Sequence, residues 1–147
     1  MPIEIRILGP SDAPVLTKVA PGVFDQDVDP ALSSEFLRDP RHHLAVAIDA
    51  GMVVGFASGV HYVHPDKAAE LWINEVGVAP SHRRQGLARR LLLALFELGP
   101  KLGCKEAWVL TSPANQGAMQ LYEAAGGRRL SDPPAMFTFK LPGGSPT

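Results

Sequence analysis

Ile3, Ile5 and Ile7 alternate with Glu4 and Arg6. That period of two predicts a first strand with one buried face. Gly9-Pro10 ends it, and Ser11 or Asp12 is placed to cap a helix over roughly 13–20. Pro21-Gly22 breaks the chain again. Beyond the acidic segment Asp25-Gln26-Asp27-Val28-Asp29, the Asp29-Pro30 pair reads as a cap with proline in the first turn. A second helix then follows through Leu32 and Phe36 to about Arg38. The apolar run 44–48, a turn at Asp49-Ala50-Gly51 and a return from Met52 to about Gly59 predict a hairpin. The stretch 61–67 is a polar loop, and 71–78 is mostly apolar, as a strand in the middle of a sheet would be.

After Gly86, Leu87, Leu91, Leu92, Leu95 and Leu98 give a helix with a wide apolar face. Gly99-Pro100 predicts a kink or a shortened last turn. A strand is expected over 106–110 and a short helix over 115–125, closed by Gly126-Gly127 as a left-handed cap requires. A last strand is expected over 135–141, with Met136, Thr138 and Lys140 alternating against Phe137 and Phe139. The order is β-α-α-β-β-β-α-β-α-β, a mixed sheet flanked by helices.

At 147 residues this is one domain, placed at 1–141, with 142–147 expected as a disordered tail. A net charge of −1 gives no electrostatic case for nucleic acid or an acidic membrane. No apolar run is long enough to cross a bilayer. Cys104 is the single cysteine, expected as a small buried filler; with no signal-peptide pattern at the N-terminus, a cytoplasmic location is expected. His61 and His64 lack further clustered ligands, so no metal is expected.

The stretch 74–90 carries the chemistry. Arg83-x-x-Gly86-x-Ala88 sets an arginine and two small residues at the mouth of a helix. A helix start presents unpaired N–H groups and partial positive charge, and small residues let a bulky anion approach the backbone. The physical reading is a phosphate or pyrophosphate site. Neither a G-x-x-x-x-G-K-[ST] loop nor a G-x-G-x-x-G turn is present.

The pattern resembles the coenzyme A pyrophosphate loop of the GNAT superfamily of N-acetyltransferases, [Q/R]-x-x-G-x-[G/A]. Glu75-Val76-Gly77-Val78 looks like that family's central strand, and Asn115-x-x-Ala118-x-x-Leu121-Tyr122-x-x-x-Gly126 looks like its later helix. Gly127 departs from the phenylalanine common there. The resemblance implies an α/β GNAT fold: a mixed, mostly antiparallel sheet with a splayed central strand and about four helices. It implies acetyl transfer from acetyl-CoA, a co-substrate, to a primary amine. Coenzyme contacts would come from Val76, Gly77 and Val78, from Arg83, from the backbone of Arg84, Gln85, Gly86, Leu87 and Ala88, and from Asn115 and Tyr122. A backbone N–H at Val78 would meet the thioester carbonyl. Tyr122 would face the coenzyme sulfur as the acid, and Glu75 would position the amine or take its proton.

Simpler readings stand beside these: a helix cap for Asn115, a core aromatic for Tyr122, and an ion-paired structural carboxylate for Glu75. The segment His82–Ala88 and the loop Tyr62-Val63-His64-Pro65 resemble the aminoglycoside 3-N-acetyltransferases. Asp25 and Asp27 would then serve a polycationic acceptor, whereas Asp29 reads better as a cap. Ser112-Pro113-Ala114-Asn115 replaces the acidic run expected in that branch. A protein or peptide N-acetyltransferase and a non-catalytic coenzyme A-binding module remain as alternatives. Many relatives form homodimers, and the sequence leaves that open.

Overall fold

The computed structural model describes residues 2–144. Five strands form one sheet in chain order: β1 (Glu4–Ile7), β2 (His42–Asp49), β3 (Met52–Tyr62), β4 (Glu70–Val78) and β5 (Ala107–Val109). The first three pairings are antiparallel, and β4 with β5 is parallel. Three α-helices are present among the described residues: α1 (Pro30–Arg38), α2 (Leu87–Leu98) and α3 (Gln116–Ala124). Asp29 caps α1 by accepting from the Leu32 N–H at 2.9 Å, with Pro30 in the first turn as the sequence requires. The Gly99-Pro100 pair ends α2, and the chain tightens into a 3-10 turn, Gly99–Leu102.

α2 buries Leu87, Leu91, Leu92 and Leu95 against the sheet. Burying four leucines is worth roughly 1.5–3 kcal/mol each before chain entropy is counted. On β3, Gly55 fits beneath this helix: a Cβ there would lie 3.2 Å from Leu91 Cδ1. Cys104 is buried beside this core, as a filler should be.

The register of β3 on β4 slips once. Ser58 pairs with Glu75 and Gly59 pairs with Ile73, so Asn74 has no partner. Side chains alternate along a strand, and one inserted residue reverses that alternation. Opposed residues share a face, so Leu71, Ile73, Val76 and Val78 all lie on the α2 face, while Glu75 and Gly77 lie on the other with Phe56.

Three expectations fare differently. The helix expected over 13–20 is only a 3-10 turn, Ala13–Thr17. The residues after it run beside β3 instead, where Val53 N–H donates to Lys18 O and Ala20 N–H donates to Val53 O. Pro14 and three β-branched residues, Val15, Thr17 and Val19, weaken a helix here, and the sheet offers the backbone groups of Lys18 and Ala20 partners. The last strand, 135–141, does not form: Met136, Phe137, Phe139 and Leu141 are exposed without strand pairing. Of the tail, 145–147 lie outside the described residues.

Candidate active site

The parallel pairing of β4 with β5 covers only Leu71–Ile73 against Ala107–Val109. Beyond it β5 stops, and among the described residues no strand flanks β4 on that side from Asn74 to Val78. This is the expected splay. It leaves strand backbone available to an extended ligand.

A cleft of about 430 Å³ opens there. Glu75, Gly77, Asn115 and Tyr122 line it, together with Arg83 and Ala88 from the loop and helix that follow β4. Strand residue and helix residue therefore meet at one site, though 47 positions of sequence separate Glu75 from Tyr122. Glu75 is exposed, and no ion pair among the described residues involves it. The paired-carboxylate reading therefore finds no partner. Tyr122 is half-buried, and that burial pushes its phenol above the ordinary value near 10. It is protonated at neutral pH and has a proton to give. Asn115 realises the cap, accepting from the Ala118 N–H at 3.0 Å, and also borders the cleft. Both readings of Asn115 are compatible.

Gly77 is held by close packing. A Cβ there would collide with Val23 O and lie 2.9 Å from the Phe56 ring. The chain after Pro21 thus lies across β4, and Phe24 stacks on Phe56 at 4.0 Å between ring centroids. The same segment brings Asp25 into the cleft. Asp25 also borders a second, larger cleft of about 770 Å³, which Asp27 lines with residues of α1. Asp27 does not reach the first cleft.

The loop after β4 is bent sharply. Arg84 has φ 64° and Gly86 has φ 74°, both left-handed. Glycine adopts this freely, whereas for arginine it is strained. Gly86 opens α2, whose first turn has no side-chain cap. Its N–H groups and positive end face outward, next to Arg83, Arg84 and Gln85, all exposed. Arg83 does not simply reach into solvent, because its Nε donates to Val78 O at 3.3 Å. Leu87 is buried under the helix, so its side chain belongs to the core and only its backbone is available.

The model of the acetyltransferase (GNAT) family matches residues 14–126. The chain belongs to this family. The GNAT match contains every residue that lines the cleft of Glu75 and Tyr122. An aminoglycoside N(6')-acetyltransferase type 1 of Salmonella typhimurium is 32% identical over 90 residues, which is 57% of this chain and 62% of that protein. The chain thus spans less than two thirds of that relative. The N-alpha-acetyltransferase RimI of Mycobacterium tuberculosis is 28% identical over 131 residues, covering 88% of this chain and 80% of that one. Among solved structures, an aminoglycoside acetyltransferase from an uncultured soil metagenomic sample, in complex with trehalose, superposes with a TM-score of 0.80 at 17% identity, over 95% and 96% of the two chains. Aminoglycoside N-acetyltransferase AAC(6')-Iy in complex with CoA superposes with a TM-score of 0.73 at 26% identity, over 95% of each.

Two features had no signal in the sequence. Asp49, at the far end of β2, meets His82 across 33 positions. Trp72 and Trp108 stack at 4.8 Å where β4 and β5 pair. Strand register brings the tryptophans together, whereas His82 reaches Asp49 from the turn that follows β4.

Proposed function

We propose that this chain is an acetyl-CoA-dependent N-acetyltransferase acting on a primary amine of a small molecule, with aminoglycosides as the leading acceptor class. The observation that carries the reading is the cleft itself: a carboxylate, a protonated tyrosine and an uncapped helix start converge beside the free stretch of β4. Acetyl-CoA would supply an activated acetyl group. The bent loop at Arg84–Ala88 fits its pyrophosphate, and the backbone of Val76–Val78 fits the pantetheine arm.

Within that arrangement, Glu75 takes the proton from the acceptor ammonium, directly or through water, so that nitrogen has a lone pair. A backbone N–H at Val78 meets the charge that grows on the carbonyl oxygen. The carbon–sulfur bond breaks as the carbon–nitrogen bond forms; Tyr122 donates the proton that lets the coenzyme leave as a thiol, and the second proton lost by the amine nitrogen restores the phenol. Asp25 borders both clefts, and with Asp27 it offers carboxylates to a polycationic acceptor.

The test is free thiol release from acetyl-CoA with aminoglycosides, polyamines, amino acids and short peptides. Strong release with an aminoglycoside supports the proposal. Product NMR then decides the nitrogen: position 3 matches the branch resembled by residues 82–88, and position 6' matches the names of the relatives above. Release only with peptides favours the second reading, a protein N-acetyltransferase, which the long match to the Mycobacterium tuberculosis relative supports. Coenzyme binding with no release from any acceptor would leave a non-catalytic module. We also propose a homodimer, supported by the exposed apolar run from Leu130 to Leu141, and a cytoplasmic location, which the single cysteine suits.

A further inference from the structure

The turn that precedes the pyrophosphate loop is fastened at one place the mechanism does not use. His82 Nε2 lies 2.7 Å from Asp49 Oδ2, and His82 Nδ1 lies 2.8 Å from Ser81 Oγ. We infer that Asp49, His82 and Ser81 form a positioning clamp that holds the loop 83–86 in the shape that receives the coenzyme pyrophosphate. This inference rests on the coenzyme reading above.

The argument is one of anchorage. Ala79 N–H donates to Val54 O at 2.8 Å, tying the end of β4 to β3. Pro80 packs over Gly22, where a Cβ would come within 2.9 Å of its ring. His82 is the last residue before the loop with a partner outside its own segment. Residues 83–86 are exposed, and the next fixed point is Leu87, which is 2% exposed. Between these posts the chain holds Arg84 in a left-handed conformation that an arginine does not choose for itself.

The anchor on the other side is stiff. Asp49 ends β2, paired with Met52 across a tight turn whose Ala50 and Gly51 both have positive φ. The hydrogen-bond chain suits either form of the imidazole. When neutral, Nε2–H donates to Asp49 and Nδ1 accepts from the Ser81 hydroxyl; when charged, both nitrogens donate. A carboxylate and a hydroxyl on the two ring nitrogens fix the ring's orientation, and so fix where the chain leaves for Arg83. None of the three needs to touch the coenzyme. Holding the loop in its bound shape lowers the ordering cost of binding.

The experiment compares acetyl-CoA with acetyl-pantetheine, which lacks the pyrophosphate, as donors for Asp49→Ala, His82→Ala and the double variant. The expected result is a roughly tenfold rise in KM for acetyl-CoA in each, with kcat within about twofold. The double variant should be no worse than either single one, and kcat/KM with acetyl-pantetheine should be unchanged. Asp49→Asn, which keeps an acceptor oxygen, should recover much of the loss. An unchanged KM for acetyl-CoA, or an equal loss with both donors, overturns the clamp. An Arg84→Glu, Gly86→Glu control separates the two ideas: if it also leaves acetyl-CoA binding intact, the pyrophosphate reading fails first.

Discussion

Tyr122 and His43 show how burial shifts the titration of single residues. The Tyr122 phenol is protonated at neutral pH at its ordinary value, as a group that protonates a departing thiolate must be, and burial pushes it further up. Tyr122→Phe should therefore lower kcat about 100-fold while KM for acetyl-CoA stays within about twofold, in steady-state kinetics. Unchanged turnover would remove Tyr122 from the mechanism. His43 is buried, with Nε2 2.8 Å from Nδ1 of His61. Burial first, and then the nearby charges of His61 and His42, hold its pKa down to about 4 from 6.5. Above pH 6.5 the ring is neutral whether folded or unfolded, and it imposes no penalty. As pH falls from 6.5 towards 4, the unfolded chain binds a proton that the folded one refuses, so stability is lost across that window. Urea midpoints should fall over that range, and His43→Gln should flatten the slope.

Among the elements, β4 carries the site, through the unpaired Asn74 and through Gly77. The slip at Asn74 puts Ile73 and Val76 both on the α2 face and Glu75 and Gly77 on the other, and Glu75, Val76, Gly77 and Val78 all border the cleft. The cleft floor then depends on close approach of the Val23 backbone to Gly77. Gly77→Ala should cost roughly 1–3 kcal/mol by overpacking, seen as a lower melting temperature, and should displace the segment that carries Asp25. A melting temperature equal to that of the parent would show that the segment moves away freely. The alternation around Glu75 was not legible in the sequence, because 71–78 is mostly apolar without a regular alternation and gives no sign of where the register slips.

For the whole molecule, the unfinished feature is the C-terminal run. Leu130, Met136, Phe137, Phe139 and Leu141 are between 63% and 83% exposed. Together they present on the order of 700 Å² of apolar side-chain surface, more than a soluble monomer commonly shows. Two copies covering each other's runs would reach the area of a stable interface, about 1,200–2,000 Å². The protein should sediment as a dimer at micromolar concentration, and Phe137→Ser with Phe139→Ser should shift it to monomer. A parent that sediments as a monomer throughout would overturn the homodimer.

The sequence alone determined what depends on neighbours in the chain. Asp29-Pro30 starts α1, Asn115 caps α3, Gly99-Pro100 ends α2, and the leucines of 87–98 choose their buried face. Caps, breakers and periodicity are local physics, so they can be read along one strip of residues. The loop motif at 83–88 was legible for the same reason. Tertiary structure decided what depends on register and distance. It broke the helix expected over 13–20 because β3 offered those backbone groups partners. It left 135–141 without a strand, because a strand needs a neighbour and alternation alone supplies none. It set Glu75 and Tyr122 on one cleft and closed Asp49 on His82, placements of residues far apart in sequence that only packing of the sheet and helices brings about.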